Sequence, residues 1–408
     1  MSVIDASHPL RVAFLYEVFA PTMGYAPTCI ARELASTGVD MHYVSAGLPP
    51  NHHIVDYSKT YNEFLGIRRR ADEEGIEGVH HHLLDFKKTY GGVWMKGVED
   101  ELARIKPDVV QTFSHVGWAP LQAAWLSSKL GFKVFTANHM TASVFPLARR
   151  NLSVLHPRRI FEFMQRAVPG RWISSRSELC FGATKDCSEI AVNFFGVPEN
   201  KLVTMPLGVD TSVFHPAQSD AERTEAAQLR SELGVEHDEI MAVYTGRFSD
   251  DKNPLLLAQS IDKLRAAGEP YRAVFFGDGT QREAIDAFGH TITHKFVDYR
   301  KLGTLFRAAD VGVWPTQEST SMIDCAACGT PTIVNDTIAA VERVEGNGLF
   351  YRLNNVDDLS RKLLDLKDPG KRQQLGAYGA SKMETQFSWR SLAAQRRAFY
   401  EQSVETND

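Results

Sequence analysis

Cysteine is scarce in this 408-residue chain, and no apolar stretch is long enough to cross a membrane. The five cysteines are an odd number at scattered positions, which indicates a reducing compartment and no disulfide framework. Lysine, arginine or histidine interrupts every apolar run before it reaches the roughly 20 residues of a spanning helix. The first residues also lack the basic-then-apolar pattern of a signal peptide. We therefore expect a cytoplasmic protein.

An excess of positive charge is also missing. The net charge of −5 at pH 7 argues against nucleic acid as a partner, because nucleic-acid binding usually needs a basic face. The composition, 43% apolar and 23% charged, is that of an ordinary soluble globular protein. A chain of 408 residues exceeds the size at which one core keeps growing, so we expect two domains.

The cysteine and histidine clusters do not predict a metal or redox site. Cys325 and Cys328 form a lone Cys-x-x-Cys, and neither a second ligand pair nor a thioredoxin-like context accompanies it. We interpret it as part of a buried helix face. The histidines at 52–53 and 80–82 lie in polar segments that we expect to be loops, without an ordered set of acidic or cysteine partners.

Strand-like and helix-like patterns alternate along both halves of the chain. The strand-like runs are residues 10–16, 39–44, 109–112 and 134–136, and then 240–244, 274–276, 295–297, 311–314 and 332–334. Such alternation predicts parallel sheets covered by helices. We therefore expect an α/β protein with two Rossmann-like domains, joined near residue 215.

The most informative segment is residues 245–254, Thr-Gly-Arg-Phe-Ser-Asp-Asp-Lys-Asn-Pro. It follows a strand-like run and precedes an amphipathic stretch at 255–264. Arg247 and Lys252 therefore leave the carboxyl end of a parallel strand, where open α/β sheets bind ligands. A guanidinium fork and a compact ammonium suit a diphosphate. Taken alone, the segment is equally compatible with a solvated loop that carries two cations.

Two later segments support a ligand at the same sheet edge. Residues 276–279, Phe-Gly-Asp-Gly, end a strand in a tight turn, although glycines there can serve only the turn itself. Residues 315–331 run from a strand through the hydroxyl-rich turn Ser319-Thr320-Ser321 into a helix that ends at Gly329. The free N–H groups at the start of such a helix form an anion site.

In order and spacing these motifs resemble the family 4 glycosyltransferases, which are retaining enzymes with the GT-B fold. That fold has two Rossmann-like parallel-sheet domains facing across a deep cleft, and a C-terminal helix that crosses back to the first domain. The residues of the closer, second-half match are Gly208-Val209-Asp210, Phe214, Pro216, Gly246-Arg247, Lys252, Gly277-Asp278-Gly279, Ala308-Ala309-Asp310, Ala327-Cys328-Gly329-Thr330-Pro331 and Phe387-Ser388-Trp389. The first half matches more loosely, through Gly24, His115 and Thr136-x-x-His139.

The resemblance implies an acceptor-binding domain at residues 1–212, a donor-binding domain at 213–385 and a returning helix at 386–408. It implies a nucleotide diphosphate sugar as donor, with Arg247 and Lys252 holding the diphosphate and no metal or other cofactor. The residues that it adds to the donor site are Gly24, Gly246, Gly277, Gly279, Ser319, Thr320, Ser321 and Asp324.

One motif departs from the family. The family has a Glu, seven residues and a second Glu, which contact the donor sugar and the ribose. Asp324 matches the second carboxylate, but the first position falls on Thr316, and Glu318 comes two residues later. Either a shorter turn lets Glu318 reach the sugar, which we favour, or Ser319, Thr320 and backbone amides hold it. Ser321-x-x-Asp324 also fits a helix capping box, so a capping role for Asp324 stays open.

Four first-half residues complete the expected site. His139 matches the family histidine beside the reacting sugar, and we expect it to take part in catalysis, with a satisfied core histidine as the alternative. His115 is a weaker match, placed with the acceptor. Gly24 belongs to the loop after the first strand, where the missing Cβ lets backbone approach a ligand. Tyr25 stands where the family often has a second glycine, so acceptor contacts should differ.

The stretch 145–172 carries six arginines against one acid, Glu162. Its apolar positions at helical spacing, opposite Arg159 and Arg166, are Ile160, Phe163, Met164 and Ala167. Three interpretations stay open. The segment contacts an anionic membrane surface, binds an anionic soluble acceptor, or packs its apolar side inward beneath a solvated face. The first would make the protein peripheral at the inner face of the membrane.

The expected function is a retaining, metal-independent glycosyltransferase that moves a sugar to a hydroxyl of a glycan, a lipid-linked acceptor or a small molecule. An epimerase or a sugar phosphorylase of the same fold is one alternative. A non-catalytic subunit that binds nucleotide sugars is another. The donor base, the sugar, the acceptor and the oligomeric state stay open, with base recognition expected near residues 297–302.

Overall fold

The computed structural model describes residues 9–21, 24–50, 52, 75–89, 92–141, 145 and 156–405. Its contacts divide the chain into two units, residues 1–207 with 389–408 and residues 208–388. The sequence placed these boundaries at 212/213 and 385/386. The two points at which the chain passes between the units lie close together in space, because Val209 N donates to Phe387 O at 2.8 Å and Val209 pairs with Ser388.

The first unit alternates strands and helices. Its described strands are β1 (Arg11–Leu15), β2 (Asp40–Ser45), β3 (Val79–Leu83), β4 (Phe86–Thr89), β5 (Gly92–Met95), β6 (Val109–Thr112), β7 (Lys133–Asn138), β8 (Leu179–Gly182) and β9 (Leu202–Thr204). Its described helices are α1 (Ala26–Ser36), α2 (Val98–Ile105), α3 (Trp118–Leu130), α4 (Pro157–Glu162), α5 (Val168–Arg176) and α6 (Lys185–Phe195), with a π-helical turn Phe163–Ala167 and a 3₁₀ turn Glu199–Lys201.

The sheet of the first unit is parallel, in the order β3-β2-β1-β6-β7-β8-β9, and β4 and β5 form a separate antiparallel hairpin. β1 is an interior strand between β2 and β6, and successive side chains of a strand point to opposite faces. Val12 and Phe14 pack on the face covered by α1, whereas Ala13 and Leu15 pack on the face covered by α2 and α3. Burial on both faces explains why the strand is a continuous apolar run.

The histidines at 80–82 are in a strand, so the expectation of a loop there is wrong. They belong to β3, which pairs with β2 along its length. The His81 ring stacks on Phe19 at 3.7 Å, and His42 Nδ1 lies 2.8 Å from His82 Nε2. Burial is the main cause that lowers the pKa of His42 and of His81 to about 4. These imidazoles are therefore neutral near pH 7 and pack as aromatic rings.

The second unit repeats the alternation. Its described strands are β10 (Ile240–Thr245), β11 (Tyr271–Phe276), β12 (Thr291–His294), β13 (Val311–Trp314), β14 (Thr332–Asn335) and β15 (Gly348–Tyr351). Its described helices are α7 (Asp220–Glu232), α8 (Leu255–Ala266), α9 (Arg282–Asp286), α10 (Tyr299–Ala308), α11 (Ser321–Ala327), α12 (Val356–Asp365) and α13 (Pro369–Gln386), with a 3₁₀ turn Val341–Arg343.

The sheet of the second unit is also parallel, in the order β12-β11-β10-β13-β14-β15. Every residue of the central strand β10 is buried. The predicted strand at 295–297 is wrong, because the edge strand is Thr291–His294, in register with Ala273–Phe276 of β11. The rings of His294 and Phe276 stack with their centres 4.8 Å apart. This packing allows a polar residue to occupy the end of the edge strand.

All five cysteines are buried and none forms a disulfide in the described part of the chain, and Cys325 and Cys328 lie on and just after α11, as a buried helix face requires. Within the ranges given above, no helix is both long and apolar enough to span a bilayer. Together the two parallel sheets confirm the predicted α/β architecture with two Rossmann-like domains.

The C-terminal helix α14 (Trp389–Glu405) belongs to the first unit. It packs against α1, and its residues Trp389, Leu392 and Tyr400 join the core that contains Phe14 and Phe135. The Tyr400 hydroxyl donates to Gln111 Oε1 at 3.0 Å within this core.

Because Tyr400 is fully buried, Tyr400→Ala should destabilise the first unit by about 3–5 kcal/mol, the usual cost of deleting a buried aromatic ring. Urea unfolding followed by circular dichroism measures this change. Arg390→Ala, an exposed position on the same helix, is the control and should change stability by less than about 0.5 kcal/mol. Equal effects of the two substitutions would contradict the packing of α14 on this core.

Candidate active site

The segment singled out first in the sequence is the loop between β10 and α8. β10 ends at Thr245, at the carboxyl edge of the sheet, and α8 begins at Leu255. Arg247 and Lys252 therefore stand between a parallel strand and the helix that follows it. Open α/β sheets bind their ligands at this edge.

Gly246, Gly277 and Gly279 lie where this loop packs against the loop after β11. Their φ values are +146°, +156° and +151°, a region that residues with a side chain rarely adopt. A Cβ on Gly277 would stand 1.8 Å from the Gly246 carbonyl oxygen, and one on Gly279 would stand 2.5 Å from that of Phe248. The contact between the two loops thus requires glycine, whether or not a ligand binds there.

Lys252 joins this loop to the loop after β13. Its Nζ donates to the Glu318 carbonyl oxygen at 2.9 Å, across 66 positions of sequence. Nearby, the Thr316 hydroxyl donates to the Asp251 carbonyl oxygen at 2.5 Å. The structure therefore brings together the two segments in which the sequence placed the diphosphate and the donor sugar.

The ammonium of Lys252 is partly withdrawn from water. The pKa of Lys252 is lowered from 10.5 to about 8. Burial is the largest cause and the neighbouring guanidinium of Arg247 adds to it, while Asp251 and Glu318 act in the opposite direction. Its described hydrogen bond goes to a carbonyl oxygen, which carries no full negative charge. A desolvated cation beside a second cation is an arrangement that an anionic ligand would stabilise.

Arg247 has a partner that sequence reasoning missed. Its Nη2 pairs with Asp251 Oδ2 at 2.9 Å, and the Ser249 hydroxyl donates to Asp251 Oδ1. The four-residue spacing between Arg247 and Asp251 was the only signal in the sequence. A guanidinium has five N–H donors, so Arg247 can keep this pair and still bind a phosphate.

Glu318 lies at the same edge despite its displaced position in the motif. Its Oε1 accepts from Ala339 N at 2.8 Å, in the segment after β14. The buried side chain of Asn335 braces the turn, because its Nδ2 donates to the Thr316 carbonyl oxygen. Thr316, which holds the family's first carboxylate position, uses its hydroxyl within the protein.

The hydroxyl-rich turn leads into α11, a helix of seven residues. Thr320 is the residue that precedes it, and no side-chain capping bond forms there, so the capping box between Ser321 and Asp324 is wrong. Instead Ser321 N donates to Ser319 Oγ at 3.3 Å. Ser319, Thr320 and Ser321 therefore follow Glu318 directly on the loop that Lys252 contacts.

Asp324 is half-buried on α11. Burial raises its pKa well above the usual range, the Asp210 carboxylate raises it further, and Arg343 opposes both. Asp210 Oδ1 accepts from Ser212 N at 3.1 Å and from the Ser212 hydroxyl at 2.5 Å. The Gly208-Val209-Asp210 motif and the second carboxylate position thus interact, although the sequence assigned Asp210 no role at the site.

In the first unit, His139 follows β7, and burial, aided by Arg396, lowers its pKa to about 4. The imidazole is therefore neutral near pH 7. Arg396 lies on α14 with its guanidinium 4.3 Å from the centre of the Phe181 ring, and it is only 3% exposed. No pattern in the sequence pointed to this buried arginine beside His139.

His115 is a buried histidine with both ring nitrogens engaged. Nδ1 lies 2.8 Å from Thr136 Oγ1, and Nε2 lies 3.0 Å from the Gly170 carbonyl oxygen, to which it donates. Burial lowers its pKa to about 4. This geometry is that of a satisfied core histidine.

Gly24 and Tyr25 lie between β1 and α1. Gly24 has φ +61°, and Tyr25 is the residue before the first turn of α1. Burial raises the pKa of Tyr25 and of Tyr16, which hydrogen-bond each other, and it raises the pKa of Glu17 beside them. Tyr16 and Glu17 were not singled out in the sequence, although they follow the first strand directly.

Solved structures with a similar fold are glycosyltransferases and related proteins. A glycosyltransferase from Rickettsia africae matches with a TM-score of 0.71 and 14% identity, over 98% of this chain and all of that one. Sucrose-phosphate synthase from Thermosynechococcus elongatus matches with 0.68 and 15% identity, over 97% of this chain and all of the other. HepE from Anabaena, in complex with UDP-glucose, matches with 0.64 and 13% identity, over 97% of this chain and all of that chain. The fold is GT-B.

Sequence comparison points the same way. Residues 239–368 match the model of the family described as glycosyl transferases group 1. D-inositol 3-phosphate glycosyltransferase from Xylanimonas cellulosilytica is 28% identical over 327 residues, 73% of this chain and 72% of that protein. A GDP-mannose-dependent phosphatidylinositol dimannoside mannosyltransferase from Mycobacterium tuberculosis is 32% identical over 150 residues, 34% of this chain and 37% of that protein. These matches support a group 1 glycosyltransferase.

The pKa of Lys252 predicts how donor affinity depends on pH. The ammonium form binds a diphosphate and the neutral amine does not, so affinity for a nucleotide sugar should fall as pH rises through about 8. A diphosphate bound beside Lys252 would raise the pKa of that ammonium, so binding would take up a proton above that pH. Calorimetric titration between pH 7 and 9.5 should show a loss of up to about tenfold per pH unit.

Lys252→Arg is the matched control for this titration, because a guanidinium stays protonated throughout the range. Its affinity, whatever the absolute value, should change little with pH. A wild-type affinity that is constant from pH 7 to 9.5 would mean that Lys252 does not face the diphosphate.

Proposed function

We propose that this protein is a retaining glycosyltransferase that takes a sugar from a nucleotide diphosphate donor without a metal ion. The observation that carries the proposal is the pairing of Lys252 with the Glu318 loop beside Arg247. Two cations at the carboxyl edge of a sheet suit a diphosphate leaving group, whose growing charge is the main catalytic task. HepE, which has a similar fold, is in complex with UDP-glucose, and this supports a donor of the same class.

Glu318 is the carboxylate that contacts the donor sugar in this proposal. The hydrogen bond from Ala339 N occupies one carboxylate oxygen and orients the side chain, while Lys252 lies against the same residue's carbonyl. Asp324, held beside Asp210, is the group for the ribose, and Ser319 to Ser321 contribute hydroxyls and amides nearby. Gly246, Gly277 and Gly279 let the two donor loops pack closely enough to form the site.

The nucleotide base would lie in a cavity at the same sheet edge. The cavity measures about 760 Å³, and Phe276, His294, Val297 and Arg300 are among its lining residues. Phe276 and His294 are the last residues of β11 and β12, so the cavity opens beside the loop that carries Gly277. This agrees with base recognition near residues 297–302.

His139 and Tyr25 are the first-unit groups proposed to face the acceptor and the reacting sugar. His139 is a neutral imidazole at physiological pH, so it can accept or donate a hydrogen bond without adding charge. His115 takes no direct part in this proposal, because its ring is buried and both of its nitrogens are engaged.

The decisive substitution is Lys252→Ala. It should lower kcat/KM for transfer by about 10² to 10³-fold, the loss usual when one group that stabilises transition-state charge is removed. Thermal-shift measurements with UDP-, GDP-, ADP- and dTDP-sugars identify the donor for the assay, since a bound ligand stabilises the fold. NMR of the product gives its anomeric configuration, and excess EDTA tests whether a metal ion is needed.

Lys263→Ala is the matched control, because Lys263 is an exposed lysine on α8 that pairs with Asp357. It should retain wild-type turnover. Near wild-type turnover of a folded Lys252→Ala variant would contradict the assignment of Lys252 to the donor diphosphate. Donor binding without transfer to any acceptor would favour a non-catalytic subunit, and inversion of configuration would refute retention.

The exposure of apolar side chains on the helical segment 157–176 supports the interpretation that the protein contacts an anionic membrane surface. Ile160, Phe161, Phe163, Met164 and Val168 are each between 43% and 59% exposed, whereas Ala167 is buried. The apolar side therefore does not pack inward, which removes one of the three interpretations. Arg159, Arg171 and Arg176 are exposed on the same segment. Apolar side chains flanked by arginine fit an interfacial helix at an anionic bilayer, where a lipid-linked acceptor would be available.

The double substitution of Phe161 and Met164 by serine should reduce binding to vesicles of phosphatidylcholine and phosphatidylglycerol at least about tenfold, because each buried apolar side chain contributes roughly 1.5–3 kcal/mol. Co-sedimentation at constant ionic strength measures the binding. Leu364→Ser, which alters an exposed leucine on α12 of the second unit, is the control and should bind as the wild type does. A wild-type protein that stays in the supernatant would refute the membrane contact.

A further inference from the structure

The first unit contains a cavity of about 530 Å³ that shares no lining residue with the proposed donor site. It lies between β5, the first turn of α2 and one face of α3. Three tryptophans line it, Trp94, Trp118 and Trp125. Its volume is within the range of sites that bind small molecules.

Two of the three tryptophans contact each other, and the third is largely exposed to solvent. Trp94 and Trp118 meet edge to face with ring centres 5.0 Å apart, and Trp118 Nε1 donates to the Thr89 hydroxyl at 2.5 Å. Trp125 lies seven residues after Trp118 and so on the same face of α3. It is 71% exposed, the highest value among the large apolar side chains that the structure describes. Its ring also contacts Trp172, with ring centres 6.4 Å apart, and the exposed part of the indole can stack on a ligand.

Gln122 lies between the two tryptophans of α3 and supplies a polar group that lacks a partner. The residue is 8% exposed, and its Nε2 donates to the Met95 carbonyl oxygen at 2.9 Å. Its Oε1 is buried and accepts no hydrogen bond from any group in the described part of the chain. Leaving a buried acceptor unpaired costs free energy, so a ligand hydroxyl that donates to it would be stabilised.

The charges around the cavity indicate the class of ligand. Glu99 and Asp100 line it at the start of α2, and its described lining contains no lysine, arginine or histidine. Lys129, which pairs with Glu99, lies outside the lining. This surface repels anions, including phosphates. It suits a ligand whose apolar faces can stack on the indoles. The hydroxyls of that ligand can donate to the two carboxylates and to the amide oxygen of Gln122.

We propose that this cavity binds a neutral saccharide. The C–H faces of a pyranose ring stack on Trp125 and Trp94, and its hydroxyls donate to Glu99, Asp100 and Gln122 Oε1. The proposal does not depend on transfer activity, because binding is measured without a donor. It gives a glycosyltransferase a second point of attachment on a glycan, besides the residues that would hold the reacting hydroxyl.

Saturation-transfer difference NMR and calorimetry on the full chain test the proposal, with maltohexaose, cellohexaose and mannohexaose as probes. At least one hexasaccharide should bind the wild type, and Trp125→Ala should weaken that binding roughly tenfold, because one stacking partner is lost. Trp125 is exposed, so this variant should keep its fold, as a thermal melt will verify. Lys252→Ala should bind the hexasaccharide as the wild type does, which separates this cavity from the donor site.

Tyr378→Ala is the control for loss of an exposed aromatic ring, because Tyr378 is 54% exposed and lies outside this cavity, and it should leave saccharide binding unchanged. Three outcomes would overturn the proposal. The first is that none of the hexasaccharides binds the wild type at millimolar concentration. The second is that Trp125→Ala binds the saccharide as tightly as the wild type does. The third is that Trp125→Ala loses affinity for phosphatidylglycerol vesicles and keeps its affinity for saccharide, which would make Trp125 a membrane anchor.

Discussion

The candidate donor site depends on one interaction, the hydrogen bond from the ammonium of Lys252 to the carbonyl of Glu318. It joins the loop after β10 to the loop after β13, two neighbouring strands of one sheet. Withdrawing this ammonium from water is unfavourable, and the lowered pKa of Lys252 reports that cost. A diphosphate beside Lys252 and Arg247 would offset the cost. The desolvated ammonium, which is unfavourable in the free protein, would therefore favour binding of a donor.

The surrounding contacts hold the two loops at the distance that this bond needs. The glycines at 246 and 277 let the loops after β10 and β11 touch through their backbones. Asn335 fixes the turn at Thr316, and the amide of Ala339 orients the Glu318 carboxylate. Glu318, two residues beyond the position of the family's first carboxylate, therefore still lies at the sheet edge. The first unit has a parallel sheet as well, but there the polar groups after the strands divide into a satisfied core histidine, His115, and a neutral imidazole beside a buried arginine, His139.

Much of this was predictable from local pattern. The strand, loop and helix around Arg247 and Lys252 are visible in ten residues, because apolar runs and turn residues mark their limits. The expectation of a loop at residues 80–82 was wrong because burial changes how a polar side chain packs. The histidines at 80–82 look polar, yet all three lie in a strand, and burial lowers the pKa of His81 to about 4 while its ring stacks on Phe19. The apolar positions of segment 157–176 have core-like spacing, yet most of them face solvent, and periodicity does not tell which side of a helix meets protein.

The sequence by itself determined the two parallel sheets, the positions of the loops at their carboxyl edges and the presence of two cations on one of them. These follow from residue size, apolarity and backbone preference, which act over a few positions. Only the tertiary structure decided that Lys252 meets Glu318, that Asp251 holds Arg247, that Asp210 lies beside Asp324 and that Gln122 is left with an unpaired oxygen among three tryptophans. Apart from the Arg247–Asp251 pair, whose four-residue spacing is visible in the sequence, these contacts join distant residues through the folded backbone or depend on how much water the fold leaves around a group, and no local pattern records either quantity.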